Sequence, residues 1–207
     1  MDFVTAFLNG YVEEEIYMKQ PEGYEDGTEK VCKIVKSLYG LKQAPRQWNI
    51  KLNESMIELG FEQLKSDTSV YIKENLIVAV YVDDCILVSN SKNAIITFKR
   101  NIQDMYSVKD LGELKEIVGM QWKRDRSKRE SVLYQEKYAL DILDRFGMTE
   151  SKLVKTPAIK EVEDQDEKFN DIELYQQCVG SLIYLNTCTR PDLSIAVSLL
   201  ARKCRIL

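Results

Sequence analysis

Apolar residues recur along the chain in two rhythms. From Trp48 they fall every three or four positions (Trp48, Leu52, Met56, Leu59), with Pro45 suited to a first turn and Gly60 to a stop, which predicts a helix. A second helical stripe (Ile95, Phe98, Ile102, Met105) follows Ser91, whose hydroxyl can cap it. Between the two, residues 69–72, 76–82 and 85–88 are rich in β-branched residues and predict a strand and then a hairpin, with Asp83-Asp84 between its arms. Upstream, an apolar patch from Phe3 to Leu8 turns at Asn9-Gly10. A loop surrounds Pro21-Glu22-Gly23 and Glu25-Asp26-Gly27, and residues 31–35 predict a short strand. Strand, helix, strand pair, helix is an α/β sandwich with one sheet face covered.

Downstream, residues 117–122 predict a further strand and 123–130 a charged turn. Tyr138, Ile142, Leu143 and Phe146 form a helical stripe closed by Gly147. The acid-rich stretch 161–167 predicts a solvated loop, and helices are expected over 175–185 and from Pro191. The change of character places a boundary near residue 130, giving a mixed domain over 1–130 and a mostly helical one over 131–207.

Composition narrows the chemistry. No apolar run approaches the ~18 residues of a membrane span, and the first residues carry no basic n-region, so no membrane or secretory segment is expected. Five cysteines without CxxC spacing predict a reduced, intracellular protein. There is no histidine, which excludes Ser-His-Asp and Cys-His nucleophiles and any His-liganded metal. The net charge of −4 is unevenly spread. Residues 1–30 hold eight acids and two bases, and residues 31–130 hold seventeen bases and thirteen acids. A basic middle beside an acidic segment suits a backbone-binding surface next to a carboxylate site.

The carboxylates that stand out are Asp83 and Asp84. An Asp-Asp pair can be a simple polar turn. Here no Gly or Asn relieves the turn, and two like charges at the tip of an apolar hairpin repel unless divalent cations lie between them. Hard cations such as Mg2+ take oxygen ligands. Two such ions roughly 4 Å apart serve in-line phosphoryl displacement, which calls for a third carboxylate from a neighbouring strand. Asp2, heading the apolar patch, is the candidate; by itself it also reads as a plain terminal acid.

Taken together, several segments resemble the reverse transcriptase of copia-type retrotransposons. They are the run from Met1 to Gly10, the run from Ile16 to Gly23, and Ser37-Leu38-Tyr39-Gly40-Leu41-Lys42-Gln43-Ala44-Pro45-Arg46-Gln47-Trp48. Tyr81-Val82-Asp83-Asp84 is similar to polymerase motif C of that family. The likeness continues through Asp110-Leu111-Gly112, Val118-Gly119, Gln135-Glu136-Lys137-Tyr138, the run from Val179 to Leu185 and Thr189-Arg190-Pro191-Asp192. It covers nearly the whole chain in order.

The resemblance implies an α+β polymerase: a palm of antiparallel sheet with helices on one face, then a mostly helical thumb. It implies an RNA-directed DNA polymerase that joins deoxynucleoside triphosphates to a primer 3′-hydroxyl on an RNA or DNA template. Two Mg2+ ions, or Mn2+ in their place, would be held by Asp2, Asp83 and Asp84 as catalytic and metal residues. Phe7, five residues after Asp2, matches the steric gate against a 2′-hydroxyl, although it also reads as a core aromatic in a strand. Lys42, Gln43 and Arg46 match the motif that borders the nucleotide, and Val118, Gly119 and Met120 match the primer grip.

The chain opens one residue before the motif A aspartate, so the fingers are expected to be largely absent and the chain to be a fragment of a Pol polyprotein. An intracellular, cytoplasmic location follows, in particles if the element is active. The alternative is a truncated, non-catalytic relic that folds and at most binds nucleic acid or a partner protein.

Overall fold

The apolar alternation of residues 70–89 builds the centre of an antiparallel sheet. The computed structural model describes residues 1–157 and 171–204. In chain order the first unit, Met1–Glu113, contains β1 (Asp2–Phe3), a 3₁₀ turn (Ala6–Asn9), β2 (Tyr17–Met18), β3 (Cys32–Lys33), α1 (Ala44–Glu58), β4 (Glu62–Gln63), β5 (Val70–Lys73), β6 (Leu76–Tyr81), β7 (Asp84–Ser89), α2 (Lys92–Met105) and β8 (Val108–Lys109). The main sheet runs β4-β5-β6-β7-β1-β8 with every neighbouring pair antiparallel, and β2 pairs with β3 in a separate ribbon.

The period of two along each strand decides what the sheet faces. Phe3, Tyr71, Leu76, Val78 and Cys85 join one core with Trp48, Leu52 and Met56 of α1 and with Phe98 and Ile102 of α2. Both helices thus cover the same face. The other face keeps Ile77 and Val88, paired in register, at 40% and 54% exposure. Three aromatic rings lock the core beneath β1: Phe3 meets Trp48 edge-on at 5.1 Å and Tyr106 at 5.7 Å, and Trp48 meets Tyr106 at 5.5 Å. The buried Tyr106 and Ser55 hydroxyls satisfy one another at 2.6 Å. Helix α2 starts as its cap predicts, with the Ser91 hydroxyl accepting from the Ala94 N–H at 3.3 Å. Gly10 is required by contact: a Cβ there would stand 2.9 Å from the Cβ of Gln47, so the end of the 3₁₀ turn lies directly on α1.

The second unit begins at Leu114 and contains β9 (Glu116–Ile117), β10 (Met120–Asp125), β11 (Glu130–Tyr134), α3 (Glu136–Arg145), α4 (Ile172–Cys188), a 3₁₀ turn (Pro191–Leu193) and α5 (Ser194–Lys203). Its antiparallel sheet runs β11-β10-β9. Asp171 caps α4 through the Leu174 N–H at 2.9 Å, and the Tyr175 hydroxyl donates to the Leu200 carbonyl at 2.9 Å, tying α4 to α5. No helix among the described residues is long and apolar enough to cross a membrane.

The chain is therefore α+β, with two local corrections. The strand expected over 117–122 is two strands, broken where Val118 and Gly119 both take positive φ (47° and 71°), the backbone of a tight I′ hairpin. The charged stretch 123–130 does hold a turn, but a shorter one over 126–129: β10 continues to Asp125 and β11 resumes at Glu130. The compact units divide between Glu113 and Leu114, so β9, β10 and β11 go with the helices that follow them rather than with the first 130 residues. The acid-rich stretch 161–167 lies outside the described residues.

Candidate active site

Asp84 opens β7 directly across from Asp2 on β1 and from Tyr81 on β6. Each aspartate precedes a core residue, Phe3 and Cys85, so both carboxylates fall on the open face of the sheet. Asp83 occupies the hairpin tip. The turn is Val82-Asp83, one residue earlier than expected, and Asp84 belongs to the strand. Val82 sits at φ 54° while Asp83 does not share its positive φ, the pattern of a II′ hairpin that normally places Gly first. A β-branched residue there stores on the order of 1–3 kcal/mol, held in place by its surroundings. Three bonds hold it: Trp48 Nε1–H donates to the Val82 carbonyl at 2.9 Å, Phe3 N–H to the Asp83 carbonyl at 2.7 Å, and Cys85 N–H to the Met1 carbonyl at 2.9 Å.

The site is electrostatically tense. Burial, with the charges of Asp2 and Asp83 adding, pushes the Asp84 carboxyl above its ordinary range, against the pull of the Met1 ammonium. The Tyr39 hydroxyl donates to Asp83 Oδ2 at 3.2 Å, and burial followed by the charge of Asp83 raises the phenol in turn. The other oxygen of Asp83, Oδ1, is buried with no partner among the described residues. Lys109 stands opposite Asp2 on β8 and is exposed.

This donor set fits a hard divalent cation: oxygens only, mutually repelling, with one orphaned carboxylate oxygen. Among the described residues no three acidic or cysteine side chains converge closely enough to enclose an ion as they stand. The set is open rather than a preformed cage.

A raised carboxyl favours its protonated form in the folded chain. The resulting stability is present below the unfolded pKa and is lost as pH rises through the folded one. Asp84→Asn is therefore expected to raise Tm by about 1–3 °C at neutral pH in EDTA. The gain should shrink as the pH falls below the ordinary aspartate range, as read by circular dichroism; a Tm below wild type at pH 7 would contradict the repulsion.

Phe7 lies on the 3₁₀ turn rather than in a strand, its ring 4.7 Å from that of Tyr39. With Pro45, Trp48, Tyr71 and Tyr81 it lines a cavity of about 220 Å3 beside the hairpin tip. Lys42, Gln43 and Arg46 gather at the N-terminal end of α1, whose Pro45 and Trp48 reach the same cavity, but none of the three lines it. Lys42 and Arg46 are exposed, and the helix start adds a partial positive charge to theirs. Val118 and Gly119 form the β9–β10 turn of the second unit and Met120 opens β10; the Tyr184 hydroxyl donates to the Val118 carbonyl at 2.7 Å.

Sequence reasoning missed two neighbours of the carboxylates. Lys109 has no local signal, and Tyr39 enters the sequence only as part of the run from Ser37 to Trp48, its partner lying 44 residues away. Tyr39→Phe should lower any turnover that depends on Asp83 about 3- to 10-fold while preserving the ring contact with Phe7. Steady-state kinetics check this, and unchanged kcat would remove Tyr39 from the site.

Comparison with known proteins is specific. Residues 1–160 match the family described as reverse transcriptase (RNA-dependent DNA polymerase). The chain is 42% identical to a retrovirus-related Pol polyprotein from transposon TNT 1-94 of Nicotiana tabacum, across 98% of this chain and 16% of that protein. It is 37% and 36% identical to the corresponding Pol polyproteins from transposons RE1 and RE2 of Arabidopsis thaliana, each across 98% of this chain and 14% of theirs. The chain thus spans less than a fifth of the length of these curated relatives. No solved structure matches.

Proposed function

The chain belongs to the reverse transcriptase family, in the copia-type branch of transposon Pol polyproteins, and on that premise we propose that its first unit is a polymerase palm carrying an RNA-directed DNA polymerase site. The observation that carries the reading is the register of β1 against β7. It sets Asp2 directly opposite Asp84, with Asp83 at the adjoining tip.

In this reading Asp2, Asp83 and Asp84 hold divalent cations, Mg2+ or Mn2+. When bound, these would lower the pKa of the primer hydroxyl and neutralise charge on the phosphates. The bond formed joins the primer 3′-oxygen to the α-phosphorus of a deoxynucleoside triphosphate, and the bond broken releases diphosphate. The residues of the chain supply position. The Phe7 ring, backed by Tyr39, closes the space a 2′-hydroxyl would need. Lys42 and Arg46 meet phosphate oxygens, Arg46 through its bidentate fork, and Gln43 borders the base and sugar. Val118, Gly119 and Met120 act as a primer grip on a turn whose glycine lets backbone approach a strand, within a thumb-like second unit.

Two experiments test the proposal. Primer extension on an RNA template, with Asp83→Asn alongside, tests the carboxylates. For Phe7→Val we expect the preference for deoxy- over ribonucleotides to fall by 10-fold or more, on the order of 1.4 kcal/mol. Unchanged sugar discrimination would show that Phe7 is not the gate. One observation favours a second reading, a non-catalytic chain that binds nucleic acid: the open geometry of the three carboxylates among the described residues.

A further inference from the structure

The most concentrated run of positive charge in the sequence belongs to the second unit. Residues 123–130 hold Lys123, Arg124, Arg126, Lys128 and Arg129 against Asp125 and Glu130, in a protein whose net charge is −4. The β10–β11 register places Arg124 opposite Ser131 and Trp122 opposite Leu133. Because residues two apart share a sheet face, Trp122 and Arg124 lie on the same face about 7 Å apart along β10. Arg124, Arg126, Arg129 and Ser131 line an open cleft of about 400 Å3. Of the two carboxylates in this stretch, Asp125 is engaged in shaping the turn, its Oδ1 accepting from the Ser127 N–H, the Ser127 hydroxyl and the Lys128 N–H, and Glu130 stands opposite it in the register. Arg129, at φ 56°, is carried on that turn.

We infer that the β10–β11 hairpin is a second nucleic-acid contact, in which Arg124 and Arg129 take the phosphates of a single strand and Trp122 offers a base a stacking surface. Guanidinium forks and a hydroxyl around an open cleft match phosphodiester oxygens. An aromatic one rung away on the same face is what a single-strand platform adds to a purely electrostatic patch. A duplex-only contact would need no aromatic, and an acidic peptide would have no use for the ring. The inference rests on reading the chain as one that handles nucleic acid, and it adds residues outside the polymerase site.

The test is fluorescence anisotropy of the full chain with a dye-labelled 12-nucleotide oligouridylate, titrated across salt concentrations. Arg124→Gln with Arg129→Gln is expected to weaken binding about 10-fold or more at low salt. It should also make the log–log salt slope shallower by about 1.4, the value for two phosphate contacts on a single strand. Trp122→Ala should weaken binding about 5- to 50-fold with the slope unchanged. Both sites are exposed or partly so, and circular dichroism verifies folding. An unchanged slope in the double arginine variant overturns the inference. Displacement of the labelled strand by an oligoglutamate of equal charge as readily as by unlabelled RNA also overturns it, in favour of an acidic peptide. A chain that extends no primer yet shows the slope change keeps this inference and loses the other.

Discussion

Replacing Asp83 with Asn is expected to lower primer extension by on the order of a thousandfold or more, about 4 kcal/mol of lost transition-state stabilisation. The substitution is nearly isosteric, and the bonds that hold the hairpin tip run through backbone groups and Trp48 rather than through the Asp83 carboxylate. Among the described residues only Tyr39 donates to that side chain, and an amide oxygen can still accept from it. What the substitution removes is one negative charge and a buried carboxylate oxygen that has no partner among the described residues. A fold contribution from Asp83 would show as a lower Tm. The repulsion among Asp2, Asp83 and Asp84 predicts a Tm equal to or above wild type in EDTA. Mg2+ should raise the Tm of wild type and leave Asp83→Asn nearly unchanged, since an ion bound only by the folded state stabilises by mass action. Extension within tenfold of wild type would remove Asp83 from the chemistry.

Trp48→Ala is the substitution with the largest expected cost to the fold. The side chain is 3% exposed, touches Phe3 and Tyr106 edge-on, and sends its only polar atom to the Val82 carbonyl. Truncation leaves a cavity worth about 3–5 kcal/mol, near 10 °C in Tm for a chain of this size, and leaves the strained Val82 turn without its anchor. Trp48→Phe divides the two roles. It keeps most of the apolar volume, so a loss of about 1–2 kcal/mol is expected, while the tip loses its hydrogen bond and extension falls further than stability does. Thermal unfolding followed by circular dichroism reads the first effect and steady-state kinetics the second. A Trp48→Ala chain within about 1 kcal/mol of wild type would show that the tip is held by other means.

Helices α1 and α2 were legible because periodicity and punctuation agreed: Pro45 at the start, Ser91 as a cap, and apolar residues on one stripe. The Asp83-Asp84 hairpin was legible from its β-branched arms, but its tip was misplaced by a residue. Turn chemistry puts Gly at the position Val82 occupies, and only the tertiary bonds from Trp48 and Phe3 make valine tolerable there. The β10–β11 hairpin was hidden for a different reason. Its strands carry charge on both faces near the tip, so the alternation that marks a half-buried strand is absent. Phe7 as a gate came from resemblance, since an aromatic in an apolar patch reads equally as core. The bond from Tyr39 to Asp83 joins residues 44 apart and left no local trace.

The proposal that Asp2, Asp83 and Asp84 form a working polymerase site meets its most direct test in nucleotide incorporation. The measurement is addition of dTTP by the folded wild-type chain on an oligo(dT)-primed poly(rA) template, with Mg2+ or Mn2+ present and then removed by EDTA. Cation-dependent extension that disappears in Asp83→Asn is the predicted result. A chain shown by circular dichroism to be folded, binding the primer-template yet adding no nucleotide with either cation, would contradict it.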